Sequence, residues 1–418
     1  MKVLYFHQHF STPQGATGTR SYEMAKKLIE RGHKVTMVCG AGFLSRTGLQ
    51  GESSKTVRRG IVDGIDVIEI NLPYSNYDSL TKRAGIFFKY ALQSIHIAWK
   101  EQYDILFATS TPLTAGIPGI MMRILKPSKP FVFEVRDLWP ELPKAMGVVT
   151  NPVVLAGMSL LERLTYRAMH AGIGLSPGIC KGMKKGGGRN KEIQMIPNGC
   201  DIGIFQVNQT NPSALQIPGW PKDTFKCIFA GAHGVANGLD AVLDVAEVLK
   251  EKKRLDISFV FVGDGKLKPQ LMERTEKMGL DNCCFFAPVP KIYLAELLDQ
   301  ADIGLMILDN IPAFYYGTSP NKFFDYIASG LPVLNNYPGW LNDIIVHNEC
   351  GVVVPPGDPN AFAGALIHLA DNPELRGVMG RNAQKLALDE FNRTKLSQDF
   401  VSFIEKVVCA NQDLKSQL

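Results

Sequence analysis

The chain has few of the short motifs that announce a chemistry. No GxxxxGK[ST] phosphate loop is present, although Gly265-Lys266 follows a strand-like run. The first glycine-rich loop is not GxGxxG, so a dinucleotide fingerprint is lacking. No DxD triplet occurs, which argues against a metal-bridged nucleotide-sugar site. The absence of GxSxG and HExxH leaves hydrolase and metalloprotease readings with little support. The eight cysteines show no CxxC spacing, and several lie in apolar strand-like runs. They predict buried free thiols in a reducing cytosol, not disulfides or zinc. No apolar run approaches the ~20 residues of a membrane span. The apolar part of Met1–His7 is too short for a signal peptide and is expected to be a first strand.

What is present fits a folded globular protein: 45% hydrophobic and 20% charged residues in a chain of 418, a length that favours two domains. Charge is uneven. Residues 1–205 carry 26 Lys and Arg against 15 Asp and Glu, whereas residues 206–418 carry 19 against 25. The basic half suits an anionic partner such as a pyrophosphate or a lipid surface; ordinary surface charge is the other explanation.

Strands and helices alternate in the first half. Val3–His7 reads as a buried strand, Thr19–Arg31 as a helix and Lys34–Cys39 as the next strand, a βαβ unit. Further strands are expected at Ile65–Asn71, Ile105–Ala108, Phe131–Val135 and Gly172–Ser176. Pro197-Asn198-Gly199 and the stretch Asn208–Pro221 interrupt the pattern and form the best linker candidate. The alternation then restarts at Cys227–Ala230 and runs through Gly351–Val354, with helices from Pro359 onward. The predicted fold class is α/β: two doubly wound Rossmann-like domains, at 1–205 and 206–394, facing a central cleft. The helix from about 395 to 418 is expected to pack back onto the first domain. Ligands of such sheets bind beyond the carboxyl ends of the strands.

The richest stretch is Thr318–Val333. Ser319 is expected to cap a short helix with Pro320 in its first position, and Gly330 and Pro332 to end it. Lys322 stands in the first turn, where the helix dipole disfavours a cation unless an anion binds there. One turn on, Asp325 can accept two ribose hydroxyls. Phosphate at the helix front and ribose beside the next turn describe a nucleotide site; a capped surface helix with an incidental lysine is the alternative. Four other strand ends offer site chemistry: the loop Ser11–Arg20, the run Val135–Pro140 with Arg136 and Asp137, and the glycine-rich turns Gly231–Leu239 and Val262–Gly265. Each also serves as a plain turn or a buried ion pair. Tyr77–Lys100 interleaves apolar residues with Lys82, Arg83, Lys89 and Lys100. Such a helix lies on a bilayer or packs on a core. The basic, glycine-containing stretch Lys181–Lys191 is expected to be a mobile loop.

In order along the chain, His7-Gln8-His9-Phe10 with the Gly15–Arg20 loop, Val135–Pro140, Ile196–Asp201, Gly231–Leu239, Val262–Gly265 and Ser319–Val333 resemble the family 4 retaining glycosyltransferases of GT-B fold. The resemblance runs nearly the whole length. It is nearest the O-antigen and capsule branch that includes N-acetyl-L-fucosamine transferases. It implies a metal-independent hexosyltransferase without a cofactor. The donor would be a nucleotide sugar, with UDP favoured and an N-acetylated amino sugar expected. The acceptor would be a polyprenyl-diphosphate-linked glycan at the inner face of the bacterial plasma membrane, reached from the cytoplasm. Nucleic acid is not an implied partner.

By the same resemblance Asp325 holds the ribose, while Ser319, Asn321 and Lys322 lie at the diphosphate with Gly18, His233, Gly234, Asn237 and Gly263. Arg136 and Asp137 face the transferred sugar or acceptor, and with Lys322 they are the expected catalytic residues. Lys82, Arg83 and Lys89 are the expected acceptor and membrane contacts. Departures are evident. The family's Glu-x7-Glu pair is Gly317 and Asp325 here, and the Arg and Lys of its diphosphate loop are replaced around Ala232, His233 and Asn237. The position often filled by His in the first domain is Arg136. A GT-B nucleotide-sugar epimerase and a catalytically silent nucleotide-sugar-binding subunit are the alternatives.

Overall fold

The computed structural model describes the chain except residues 43–44, 52–55, 76, 207–216 and 417–418, and the side chains of 414–416. Most of the expected linker Asn208–Pro221 therefore lies outside the described residues. The chain divides into two compact units. The first comprises Met1–Pro197, Tyr316–Ser319 and Thr394–Leu418, and the second Asn198–Tyr315 and Pro320–Arg393.

The first unit holds an eight-stranded sheet. Its strands are β1 (Lys2–Phe6), β2 (Lys34–Gly42), β3 (Val57–Val62), β4 (Ile65–Tyr74), β5 (Ile105–Thr109), β6 (Phe131–Val135), β7 (Ala171–Gly174) and β8 (Glu192–Met195), in the order β3-β4-β2-β1-β5-β6-β7-β8. All neighbours are parallel except β3 and β4. The central strands are apolar throughout because helices cover both faces. On one face Tyr5, Phe107 and the Arg20–Glu30 helix pack with Phe400 and Ile404 of the Arg393–Ser416 helix. On the other, Phe6, Phe133 and Val135 pack with Tyr90, Met122 and Tyr166 from the helices Leu80–Lys100, Ile117–Leu125 and Pro152–Ala168. Strand β3 was not expected. Its sequence, Val57-Arg58-Arg59-Gly60-Ile61-Val62, is too polar to signal a buried strand, and it occupies the sheet edge.

The second unit holds β9 (Phe225–Ala230), β10 (Ile257–Val262), β11 (Cys283–Phe286), β12 (Ile303–Met306), β13 (Val333–Asn335) and β14 (Gly351–Val353). All run parallel, in the order β11-β10-β9-β12-β13-β14. The order reverses beside β9, so the turns after β9 and β10 lie where open parallel sheets bind ligands.

Two local expectations need correction. The helix opening the richest stretch runs Asn321–Ala328, with Pro320, not Ser319, at its N-cap position. Gly330, at φ +70°, ends it as expected, and Leu331 N donates to Tyr326 O. The Lys181–Lys191 stretch is not an open loop. The Pro177–Met183 helix continues into a further helical turn at Lys184–Gly188. A side chain at Gly186 would come within 2.9 Å of the Tyr166 ring, so the glycines let this turn close onto its neighbours.

Candidate functional site

In the second unit the turns after β9 and β10 interlock backbone to backbone. Gly231 N donates to Val262 O at 3.0 Å, His233 N to Asp264 O at 2.9 Å, and Leu267 N to His233 O at 3.0 Å. Gly231 and Gly263 have φ near +150°, a region that favours glycine. A Cβ on Gly263 would sit 1.9 Å from Gly231 O, so no other residue fits.

Lys322 comes to these turns from the first turn of the Asn321–Ala328 helix. Its Nζ donates to Asn237 Oδ1 at 2.7 Å and lies 4.1 Å above the Phe229 ring. Its side chain also lines Gly231. No carboxylate neutralises it among the described residues, and burial alone pushes its pKa down to about 7. A desolvated cation beside glycine turns is arranged for an anion. Lys322, Asn237 and Gly231 are thus brought together, with Gly263 beneath. Gly234 is open on its side-chain face. His233 behaves differently. Its ring is fully buried among Phe229, Phe261 and Phe285, and neither ring nitrogen has a partner among the described residues. Burial, then the charge of Lys268, pushes its pKa down to about 4, so the ring is neutral. Asn321 is exposed at the helix start, and Ser319 is buried.

Asp325, also on this helix, is 7% exposed. Its Oδ1 lies 2.9 Å from Lys291 Nζ. Burial raises its pKa above the usual carboxylate value, and Lys291 opposes that rise. Lys291 was not singled out by the sequence. It lies far from Asp325 along the chain, at the start of the Lys291–Asp299 helix, and matches no motif.

In the first unit, Arg136 follows β6. Its backbone N donates to Ser110 Oγ at 3.0 Å, Nε to Thr109 Oγ1 at 3.1 Å, and a terminal nitrogen to Ser21 Oγ at 3.3 Å. The ends of β5 and β6 and the start of the first helix therefore meet at this guanidinium. Beneath it, the fully buried Glu134 pairs with Arg20 at 2.7 Å, and Arg20 also donates to Ile196 O and Pro197 O. The Arg20–Glu134 pair thus ties the glycine loop containing Gly18 to β6. Asp137 accepts from Thr111 Oγ1 at 3.2 Å, and burial raises its pKa. His7 and His9, after β1, are held neutral by burial and then by Arg136, His9 at about 4.

His9 also belongs to an aromatic group that sequence reading missed. Its ring lies 4.7 Å from Tyr74, which stacks on Phe87 at 5.6 Å. Arg83 covers Tyr74 at 5.5 Å. Lys82 and Lys89 are exposed, and Lys82 pairs with Asp78 at 2.6 Å. Arg83 therefore separates from the other two. It is half-buried on a ring, not extended from the surface.

Comparison with known proteins agrees with this layout. Residues 15–199 match the Glycosyl transferase 4-like domain, and residues 211–386 match Glycosyl transferases group 1. The D-rhamnosyltransferase WbpZ of Pseudomonas aeruginosa is 28% identical over 38% of this chain, a match that spans 39% of that relative's own length. The N-acetyl-alpha-D-glucosaminyl L-malate synthase of Bacillus anthracis is 20% identical over 92% of both chains. Among solved structures, Anabaena HepE in complex with UDP-glucose is similar with a TM-score of 0.67. It is 16% identical, and the likeness covers 97% of this chain and 100% of that one.

Proposed function

Because the chain belongs to the family 4-type glycosyltransferases of GT-B fold, we propose that it transfers a sugar, with retention, from a UDP-sugar to a polyprenyl-diphosphate-linked glycan in surface polysaccharide synthesis. The observation that carries the donor part is Lys322, a desolvated ammonium with no carboxylate partner among the described residues, aimed at the glycine turns after β9 and β10. In transfer, the bond from the sugar's anomeric carbon to the diphosphate oxygen breaks. A bond to an acceptor hydroxyl oxygen forms, and the hydroxyl proton passes to the leaving diphosphate. Negative charge grows on that diphosphate, and Lys322 with the turn amides stabilises it. Front-face attack guided by the leaving phosphate is the route the family resemblance implies. Asp325 takes the ribose, and Arg136 and Asp137 take the transferred sugar or the acceptor.

UDP as the donor nucleotide is supported by the HepE complex with UDP-glucose. An N-acetylated amino sugar is supported by the name of the Bacillus anthracis relative. A location at the membrane's inner face is supported by the surface of the first unit. Among the described residues no helix is long and apolar enough to cross a membrane. Yet Leu80, Phe88, Leu92 and Trp99 are each more than half exposed on the Leu80–Lys100 helix, as are Val153 and Leu160 on Pro152–Ala168. The Ile117–Leu125 helix packs against both and exposes Ile124. Exposed Lys82 and Lys89 share the first of these helices. Apolar side chains flanked by basic ones suit a bilayer surface.

The test is a panel of nucleotide sugars, first by ligand-induced thermal shift and then with a lipid-diphosphate acceptor. Transfer to the acceptor is expected. Epimerisation of the donor without acceptor, or binding with no turnover, replaces this reading with one of the alternatives.

A further inference from the structure

Asp325 belongs to a buried cluster of four charges. Lys291 Nζ contacts Asp325 Oδ1 at 2.9 Å and also pairs with Asp201 Oδ2. Asp201 in turn receives Arg393 Nε at 2.7 Å, and Arg393 donates to Gly199 O at 2.6 Å. Every one of these side chains is 10% exposed or less. Asp201, Lys291 and Asp325 come from three elements: the segment leading into the Ile202–Gln206 helix, the start of the Lys291–Asp299 helix, and the second turn of the Asn321–Ala328 helix. Two carboxylates and two cations balance. Lys291 touches both carboxylates, and it is the only cation of the four within ion-pair distance of Asp325 among the described residues. The ion pair with Lys291 is made at Oδ1, a buried oxygen that has no hydrogen bond of standard geometry among the described residues.

We propose that Lys291 is a positioning residue for donor binding: its ammonium keeps Asp325 charged and fixes its direction, leaving Oδ2 to accept from a ribose hydroxyl. This rests on the assignment of Asp325 to the ribose. A carboxyl this deeply buried favours its neutral form unless a cation is adjacent. The other groups facing Asp325 act as follows. Asp201 raises its pKa and Arg393 lowers it, while the Cys200 thiol and the Tyr326 hydroxyl are themselves pushed up by burial and stay neutral. Asp201 and Arg393 oppose one another, so Lys291 decides the state of Asp325. Without it, burial favours the neutral carboxyl, which accepts less well on its oxygens and turns without a fixed partner.

The test measures UDP-glucose affinity by calorimetry from pH 6.5 to 9, a range in which the diphosphate diester of that ligand does not titrate. Asp325→Asn is expected to weaken binding at least tenfold at every pH. Lys291→Met is expected to weaken it comparably at pH 6.5, with recovery toward pH 9 relative to wild type as the carboxyl ionises. Lys291→Arg should restore most of the affinity and remove the recovery. Should Lys291→Met not fold, the Asp201→Asn, Lys291→Met double variant keeps the cluster balanced with one carboxylate and one cation, and the same recovery is expected of it. If Asp325→Asn binds like wild type, or wild type does not bind UDP-glucose, the donor reading fails and this inference falls with it. If Asp325→Asn is weak but the Lys291 variants bind like wild type, the inference alone is overturned. It is likewise overturned if their loss is the same factor at all pH values, because that marks a purely structural lysine.

Discussion

Lys322 should make donor binding take up a proton, and this can be measured without knowing the acceptor. Its pKa in the free protein is about 7, against 10.5 for an ordinary lysine. At pH 7.5 roughly one quarter of the free molecules then carry the charge. A bound diphosphate restores the charged form, so binding takes up about 0.7–0.8 proton at that pH. The uptake shrinks toward about 0.1 at pH 6 and approaches one at pH 8.5. Affinity follows with the same sign. It is fully present below pH 7 and falls by up to about tenfold per unit above it, or roughly 1.4 kcal/mol per unit. Calorimetry of UDP-glucose in buffers of different ionisation enthalpy reads the uptake directly, and Lys322→Met should abolish it.

The same residue predicts an opposite effect on stability. Burying the ammonium costs roughly 4–5 kcal/mol on the scale of that shift. Lys322→Met should therefore leave the free protein more stable at pH 6–7, by up to about that amount. The unfolded chain binds the lysine proton up to its ordinary pKa, so wild-type stability rises with pH between about 7 and 10.5 and the mutant's advantage fades. A mutant that loses stability at pH 6.5, or wild-type binding with no proton uptake at pH 8, refutes the reasoning.

Three further outcomes are expected. Gly263→Ala should abolish donor binding and lower the melting temperature, because its Cβ would lie 1.9 Å from Gly231 O; UDP-glucose affinity close to wild type would show that this turn is not part of the site. Phe400→Ala should destabilise the first unit by about 3–5 kcal/mol in denaturant unfolding, since Phe400 is buried against Tyr5 and Phe107. A cost below about 1 kcal/mol would mean that the C-terminal helix adds little to that core. Replacing Lys82 and Lys89 by Glu should reduce flotation with anionic vesicles at low salt, each lysine contributing about 1 kcal/mol, while leaving UDP-glucose binding intact; unchanged flotation would remove this helix from the membrane surface.

Much of the fold was legible because buried parallel strands are nearly unbroken apolar runs. Phe131–Val135 matches the expected strand residue for residue, and the expected Ile105–Ala108 and Cys227–Ala230 lie within observed strands. The charged edge strand Val57–Val62 was not legible, because its contacts are with β4 and solvent instead of a core. The glycine turns and the Asn321–Ala328 helix were legible as local chemistry, Gly330 included. The missed features are long-range. Nothing near His9 in sequence announces Tyr74 and Phe87, and nothing near Asp325 announces Lys291. Such partners meet only when strand ends from distant segments are gathered by the sheet. Ser319 differs for a local reason: the N-cap position falls on the proline that follows it.

Two partly buried lysines of the second unit show why residue type alone does not separate structural from ligand-facing charge. Lys291 and Lys322 are both desolvated and both lie near an aromatic ring, Phe205 at 5.4 Å and Phe229 at 4.1 Å. Lys291 has two carboxylates within ion-pair distance, and its pKa is raised. Among the described residues Lys322 has an amide oxygen and no carboxylate within ion-pair distance, and its pKa falls. A buried cation whose charge is already balanced gains little from a new anion, whereas an unbalanced one gains the most. Under the proposed function the two lysines divide the work: Lys322 is assigned to the diphosphate, and Lys291 to preparing the carboxylate assigned to the ribose. Exchanging their environments should exchange their behaviour. An Asn237→Asp variant places a carboxylate on Lys322 and should restore its pKa toward the ordinary value. That variant should bind UDP-glucose at least tenfold more weakly and lose the proton uptake, although no positive charge has been removed.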